Sequence, residues 1–233
     1  MKKIFINAGV VMMVLAIGLA GFIGWTLYPH DSPQPLPPSL VSSSSVEGRA
    51  LIEGAQARAD FDALSRAYQG QRLISYCGVA SSVIVLEALG KTTNQNDFFT
   101  EEASRVRSQF KVIFGGMSLP ELGALLRTYG VKASVHHASA SSIEAFRAVI
   151  KRNLSQSDDY LLVNYQREKL GQGKVGHISP LAAYNEDSDR VLILDTASHK
   201  YPPTWVPVDM LFSAMTTTDS SSGLMRGYVE VSI

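Results

Sequence analysis

The chain has 233 residues, 45% of them hydrophobic and 18% charged, enough for one sizeable core and too few for two full domains. Lysine plus arginine balances aspartate plus glutamate at 21 each, so the strong field that draws a protein to nucleic acid is excluded and a small, near-neutral partner fits better. A single cysteine, Cys77, rules out an intramolecular disulfide framework.

After Lys2 and Lys3 no charge appears until Asp31, and residues 4–28 are almost wholly apolar, long enough to cross a bilayer at about 1.5 Å per residue. The run exceeds the roughly 7–15 residues of a signal-peptide core, and "GLAG" at 18–21 is a poor cleavage site. Residues 1–30 therefore read as a signal anchor, with cleavage as the alternative. The two lysines stay cytoplasmic by the positive-inside tendency, which puts the remainder across the membrane, periplasmic in a bacterium. Residues 31–45 lie within a Pro-rich then Ser-rich stretch, "PHDSPQPLPPSLVSSSS", expected to be a spacer holding the domain off the membrane. Residues 46–233 are expected to form the folded domain.

Apolar spacing of three and four from Glu47 to Tyr68 predicts helix, broken near Gly54 or Asp60. A loop over 69–76 precedes a second helix that Ser75 caps and Gly90 stops, with Val79, Val83 and Leu86 as a core stripe. "FGGMS" at 114–118 lacks the lysine and spacing of a phosphate loop and reads as a turn. Ser118 caps a helix, with Pro120 in its first turn and Gly130 as its stop; "VKASVHH" reads as a strand, and another helix begins at Ser142. His136 and His137 alternate faces of that strand and make a poor metal pair. Beyond Asn153 the segments "DYLLVNYQ", "GHISPLAAYN", "RVLILDTA" and "RGYVEVSI" read as strands. Helices first and strands later predict an α+β domain with helices packed on an antiparallel sheet.

Cys77 falls in the first turn of its helix, where the dipole and unpaired backbone N–H groups favour thiolate. His177 begins one predicted strand and Asp195 ends the next. If paired residue numbers in that hairpin sum to 372 or 374, the two side chains share a face; a sum of 373 separates them. Cysteine, then histidine, then an acid is the order of the papain-like cysteine hydrolases. Gln71, six residues before the cysteine, supplies an oxyanion donor beside the nucleophile's own N–H, each worth about 3–4 kcal/mol. The bland alternative for Cys77 alone is a buried packing residue, and for His199, beside Lys200, a solvated side chain.

Over residues 40–233 the chain resembles the phytochelatin synthases, the glutathione gamma-glutamylcysteine dipeptidyltransferases. The motifs that carry the likeness are "ADFDALSRAYQGQRLISYCGVASSVIVLEALG", "GHISPLAAYN", "LILDTASHKYPPTWVPVDMLFSAM" and "TTTDSSSGLMRGYVEVS". The resemblance implies a papain-like fold in which Cys77 is the nucleophile, His177 the base, Asp195 the orienting acid and Gln71 the oxyanion donor. It implies glutathione as substrate, cleaved at its Cys–Gly bond, with the gamma-glutamylcysteinyl group passed to a second glutathione or to water. Asp219 and Arg226 match the acid and arginine that hold the gamma-glutamyl head group; without the likeness they would read as a surface pair.

The chain stops at Ile233 without the cysteine-rich C-terminal extension of plant members, so it resembles the short bacterial type, for which hydrolysis or slow transpeptidation ranks above polymer synthesis. No tightly bound cofactor is expected; a heavy-metal ion such as cadmium enters as a metal–glutathione thiolate substrate. Expected partners are glutathione and, through residues 1–30, a membrane; nucleic acid is not one, and a homodimer is left open. Two rival readings are a papain-like leader peptidase of the bacteriocin-processing type and an inactive membrane-anchored binding module.

Overall fold

A computed structural model describes residues 8–233. The apolar N-terminal segment is a helix, Ala8–Leu27 (α1), exposed along most of its length and packed into neither core. It is long and apolar enough to cross a membrane. The proline-rich stretch that follows does not stand off as a spacer. The Ser32 and Gln34 amides donate to the carbonyls of His199 and Lys200, Leu40 is buried, and Val41–Ser42 (β1) pairs with Thr204–Pro207 (β6). Proline-fixed dihedrals make this segment cheap to order, so it docks along the domain.

The helical break falls where expected: Val46–Glu53 (α2) ends at Gly54, and Phe61–Ala67 (α3) follows Asp60. Cys77–Ala88 (α4) comes next and is stopped by Gly90, whose φ of +74° only glycine adopts freely. Two short helices, Glu101–Val106 (α5) and Gln109–Gly115 (α6), were not anticipated; Thr100 and Ser108 cap them. Leu119–Arg127 (α7) has the capping box of Ser118 and Glu121 and is followed by the strand Lys132–His137 (β2). Ser142 caps Ile143–Leu154 (α8).

The strands Asp159–Gln166 (β3), Gly176–Asn185 (β4), Arg190–Ile193 (β5), β6 and Gly227–Ser232 (β7) form one antiparallel sheet with β1 and β2, in the order β1-β6-β5-β4-β3-β7-β2. The helix Val208–Met215 (α9) links β6 towards β7. Helices cover both faces of the sheet. Tyr160 and Leu162 join Val79, Val83, Leu86 and Leu122 in one core, while Leu161, Val163 and Tyr165 join Phe146, Ile150 and Leu211 in the other. The period-two alternation of β3 thus feeds two cores, which is why β3 and β4 are apolar on both faces. The α+β fold with an antiparallel sheet is as the sequence implied.

Candidate active site

Cys77 opens α4, with Tyr76 as N-cap and no side-chain cap. Ser75, the expected cap, lies one residue too early. Its hydroxyl donates instead to the Ile113 carbonyl at 2.9 Å, one of the end carbonyls that α6 cannot satisfy itself. The first N–H groups of α4 are thereby left unfilled by any side chain, and their positive field reaches the sulfur.

His177 and Asp195 meet through a slip in the sheet. Paired residue numbers sum to 375 at Asn185↔Arg190, Tyr184↔Val191 and Ala183↔Leu192, but to 374 at Leu181↔Ile193. A β-bulge at Ala182 makes the change, and the Leu194 amide bonding the Pro180 carbonyl at 2.9 Å extends the new register. At 375 the two side chains would point to opposite faces. At 374 they share one, and His177 Nε2 lies 3.0 Å from Asp195 Oδ1.

The same carboxylate oxygen accepts from Arg167 Nη2 at 2.6 Å and from the Ala197 amide at 2.9 Å. The Arg167 and Asp195 side chains are each 3% exposed. Arg167 stacks over Tyr201 at 5.0 Å, and Tyr68 donates its hydroxyl to the Asp195 carbonyl at 2.6 Å. Sequence reading missed Arg167 and Tyr68. The available signal for Arg167 was a charged residue directly after a strand, "DYLLVNYQ", too apolar to end at a surface.

These contacts set the charges. Burial pushes the Asp195 carboxyl up, but Arg167 and then His177 hold it well below the usual carboxylate range. Burial and Arg167 push the His177 imidazole down; the Asp195 charge and hydrogen bond, with a hydrogen bond to Cys77, outweigh them and leave it raised. Burial raises the Cys77 thiol, while the His177 hydrogen bond and charge, the Ile178 backbone N–H and Arg167 bring it below its ordinary value. With Nε2 on Asp195, Nδ1 is the imidazole nitrogen left for the sulfur. The arrangement favours a thiolate–imidazolium pair.

Gln71 lines the same cavity as Cys77, but its Nε2 donates to the carbonyls of Leu73 at 3.1 Å and Ile74 at 2.5 Å. Both amide hydrogens are thus occupied in the loop that positions Cys77. Asp219 and Arg226 are buried rather than a surface pair. Arg226 Nη1 donates to Asn164 Oδ1 at 2.9 Å and lies 3.4 Å from Asp219 Oδ2, and Ser221 donates its amide and hydroxyl to Asp219 Oδ1.

Cys77, His177, Gln71, Asn164, Asp219 and Arg226 border one cavity of about 640 Å³, within the range of small-molecule sites. Phe114, Gly116 and Met117 of the expected turn line it too. His199 is half-buried in its wall rather than fully solvated, and burial with neighbouring Lys200 lowers its basicity. Ser32 and Gln34 of the docked segment complete the wall.

On an α+β fold, a thiol at a helix N-terminus followed by an imidazole and a buried carboxylate has the geometry of a cysteine-nucleophile site. A family model described as phytochelatin synthase matches residues 32–228, and the chain belongs to that family. It is 34% identical over 208 residues to glutathione gamma-glutamylcysteinyltransferase 1 of Triticum aestivum, covering 85% of this chain and 41% of the wheat protein. It is 32% identical over 216 residues to glutathione gamma-glutamylcysteinyltransferase 1 of Arabidopsis thaliana, covering 89% of this chain and 44% of that one. The chain thus spans less than half the length of these relatives. Among solved structures, the Pseudomonas avirulence protein AvrPphB matches with a TM-score of 0.33 and 12% identity, over 78% of this chain and 100% of its own.

Proposed function

We propose that the protein cleaves the Cys–Gly bond of glutathione through a gamma-glutamylcysteinyl thioester on Cys77. The observation that carries this reading is the line His177 Nε2 to Asp195 Oδ1 at 3.0 Å beside a thiol held below its ordinary basicity. The thiolate adds to the amide carbonyl, and the C=O electrons move onto oxygen. The Cys77 N–H receives that oxyanion; Gln71 joins it by releasing one of its two loop carbonyls. As the tetrahedral centre collapses, the C–N bond breaks and the imidazolium gives its proton to the departing glycine amine. Water or the amino group of a second glutathione then attacks the thioester, with neutral His177 taking the proton and the thiolate leaving.

The buried set Asn164, Asp219 and Arg226 suits the gamma-glutamyl head group, whose free ammonium fits a carboxylate and whose carboxylate fits a guanidinium fork. A metal ion such as cadmium would arrive as part of a glutathione thiolate substrate. α1 serves as a membrane anchor, a reading supported by its length and apolar character, and the positive-inside tendency of Lys2 and Lys3 puts the domain in the periplasm. Incubating the full chain with glutathione and assaying glycine tests the reaction: release from the native protein and none from Cys77→Ala is expected, and silence from both would overturn it.

A further inference from the structure

Exposed apolar side chains gather where α1 joins the domain. The Leu27 carbonyl at the end of α1 accepts from the Ile74 amide at 3.0 Å. Ile74 is 50% exposed and lines the cavity mouth. The next residue, Ser75, bonds Ile113 of α6, and Gln109 at the start of α6 donates to the Tyr76 hydroxyl at 3.0 Å. That helix turns two rings outward: Phe110, 70% exposed, packs on Phe114, 60% exposed, with ring centroids 4.8 Å apart. Phe114 lines the mouth, as does Val175, 53% exposed, from a different loop. A soluble surface rarely clusters such residues around one opening.

We propose that this rim is an interfacial membrane contact, so that the cavity mouth lies against the bilayer that α1 crosses. The occupant is lipid because α1 leaves the domain at Ile74 itself, exposed along most of its length, and the docked proline-rich segment leaves no free spacer to lift the domain away. Lys111 and Lys174 are exposed beside Phe110 and Val175, the mixture of cations and apolar side chains that suits the headgroup boundary. The proposal rests on α1 remaining attached as an anchor.

The test uses the full chain in phosphatidylcholine–phosphatidylglycerol liposomes, in a Cys77→Ala background so that one introduced thiol carries an environment-sensitive fluorophore. Probes at Phe110→Cys, Leu19→Cys within α1 and Lys151→Cys on the distant helix α8 are compared for quenching by shallow nitroxide lipids and by aqueous iodide. All three positions are exposed, so folding is retained. Lipid quenching at 110 several-fold above that at 151, with protection from iodide, is expected. A probe at 110 matching 151 while the one at 19 is quenched would overturn the docking and leave the anchor standing. Loss of lipid quenching at both 19 and 110 would overturn both, and protection from iodide at 110 without lipid quenching would replace the bilayer by a second copy. Glycine release, measured on the native chain, reports separately on the reaction.

Discussion

His177 and Asp195 face each other because the β4–β5 ladder slips by one residue between Ala183 and Leu181. Without that bulge the acid would orient nothing. The carboxylate is what raises the imidazole's basicity against both burial and Arg167. Asp195→Asn removes that charge and leaves Arg167 unneutralised, two effects of the same sign. The His177 titration, followed by its imidazole proton resonances, is expected to move to lower pH. Glycine release should fall by about 10²–10⁴-fold in kcat.

Arg167 holds the same Asp195 oxygen that faces the imidazole. Removing one partner of a buried pair strands the other, so Arg167→Met should cost about 3–5 kcal/mol, read as a lower midpoint in urea. Arg167→Lys keeps the charge but loses the stack on Tyr201 and should recover less than half of the loss. A positioning role requires kcat to fall more than KM rises. The pair also fixes an acid limit. Asp195 titrates lower folded than unfolded, so its stabilisation is complete above the ordinary carboxylate value near pH ~4 and is lost only as pH drops below it.

Asp60 behaves in the opposite sense. Burial pushes its carboxyl up to about 6 against the pull of the Asp158 and Asp159 amides, and Oδ2 has no partner. A folded value above the unfolded one means that stability falls as pH rises from about 4 to 6. Asp60→Asn keeps an acceptor for Asp158 and should stabilise by about 1–3 kcal/mol at pH 7. Chemical unfolding at both pH values checks this, since the two proteins should converge near pH ~4.

Gly176 leaves room for the Arg226 guanidinium. A Cβ there would come 2.7 Å from Arg226 Nη1. Gly176→Ala should displace the guanidinium and raise KM for glutathione by about tenfold or more, the loss of one charge-assisted contact, with little change in melting temperature. An unchanged KM would remove Arg226 from the binding site.

Much of this architecture is written in local patterns. Ser118, Glu121 and Gly130 bracket α7, Ser142 opens α8, and short apolar runs between turn residues give β3, β4 and β7, because each signal acts within a few residues. Cys77, His177 and Asp195 were likewise visible as residue types at strand and helix ends. What was not legible depends on tertiary fit. One extra residue at Ala182 selects the register, Arg167 acquires meaning only beside Asp195, and the proline-rich segment looks like a spacer until His199 and Lys200 offer it carbonyls. Ser75 failed as a cap for the same reason, since Ile113 competes for its hydroxyl.

Mass spectrometry of the intact chain, acid-quenched seconds after mixing with glutathione, tests the acyl-enzyme directly. The expected result is a mass gain equal to gamma-glutamylcysteine less one water, localised to the peptide bearing Cys77, discharged by hydroxylamine and absent from His177→Ala. An unmodified Cys77 while glycine accumulates would contradict the thioester and with it the role given to the thiol.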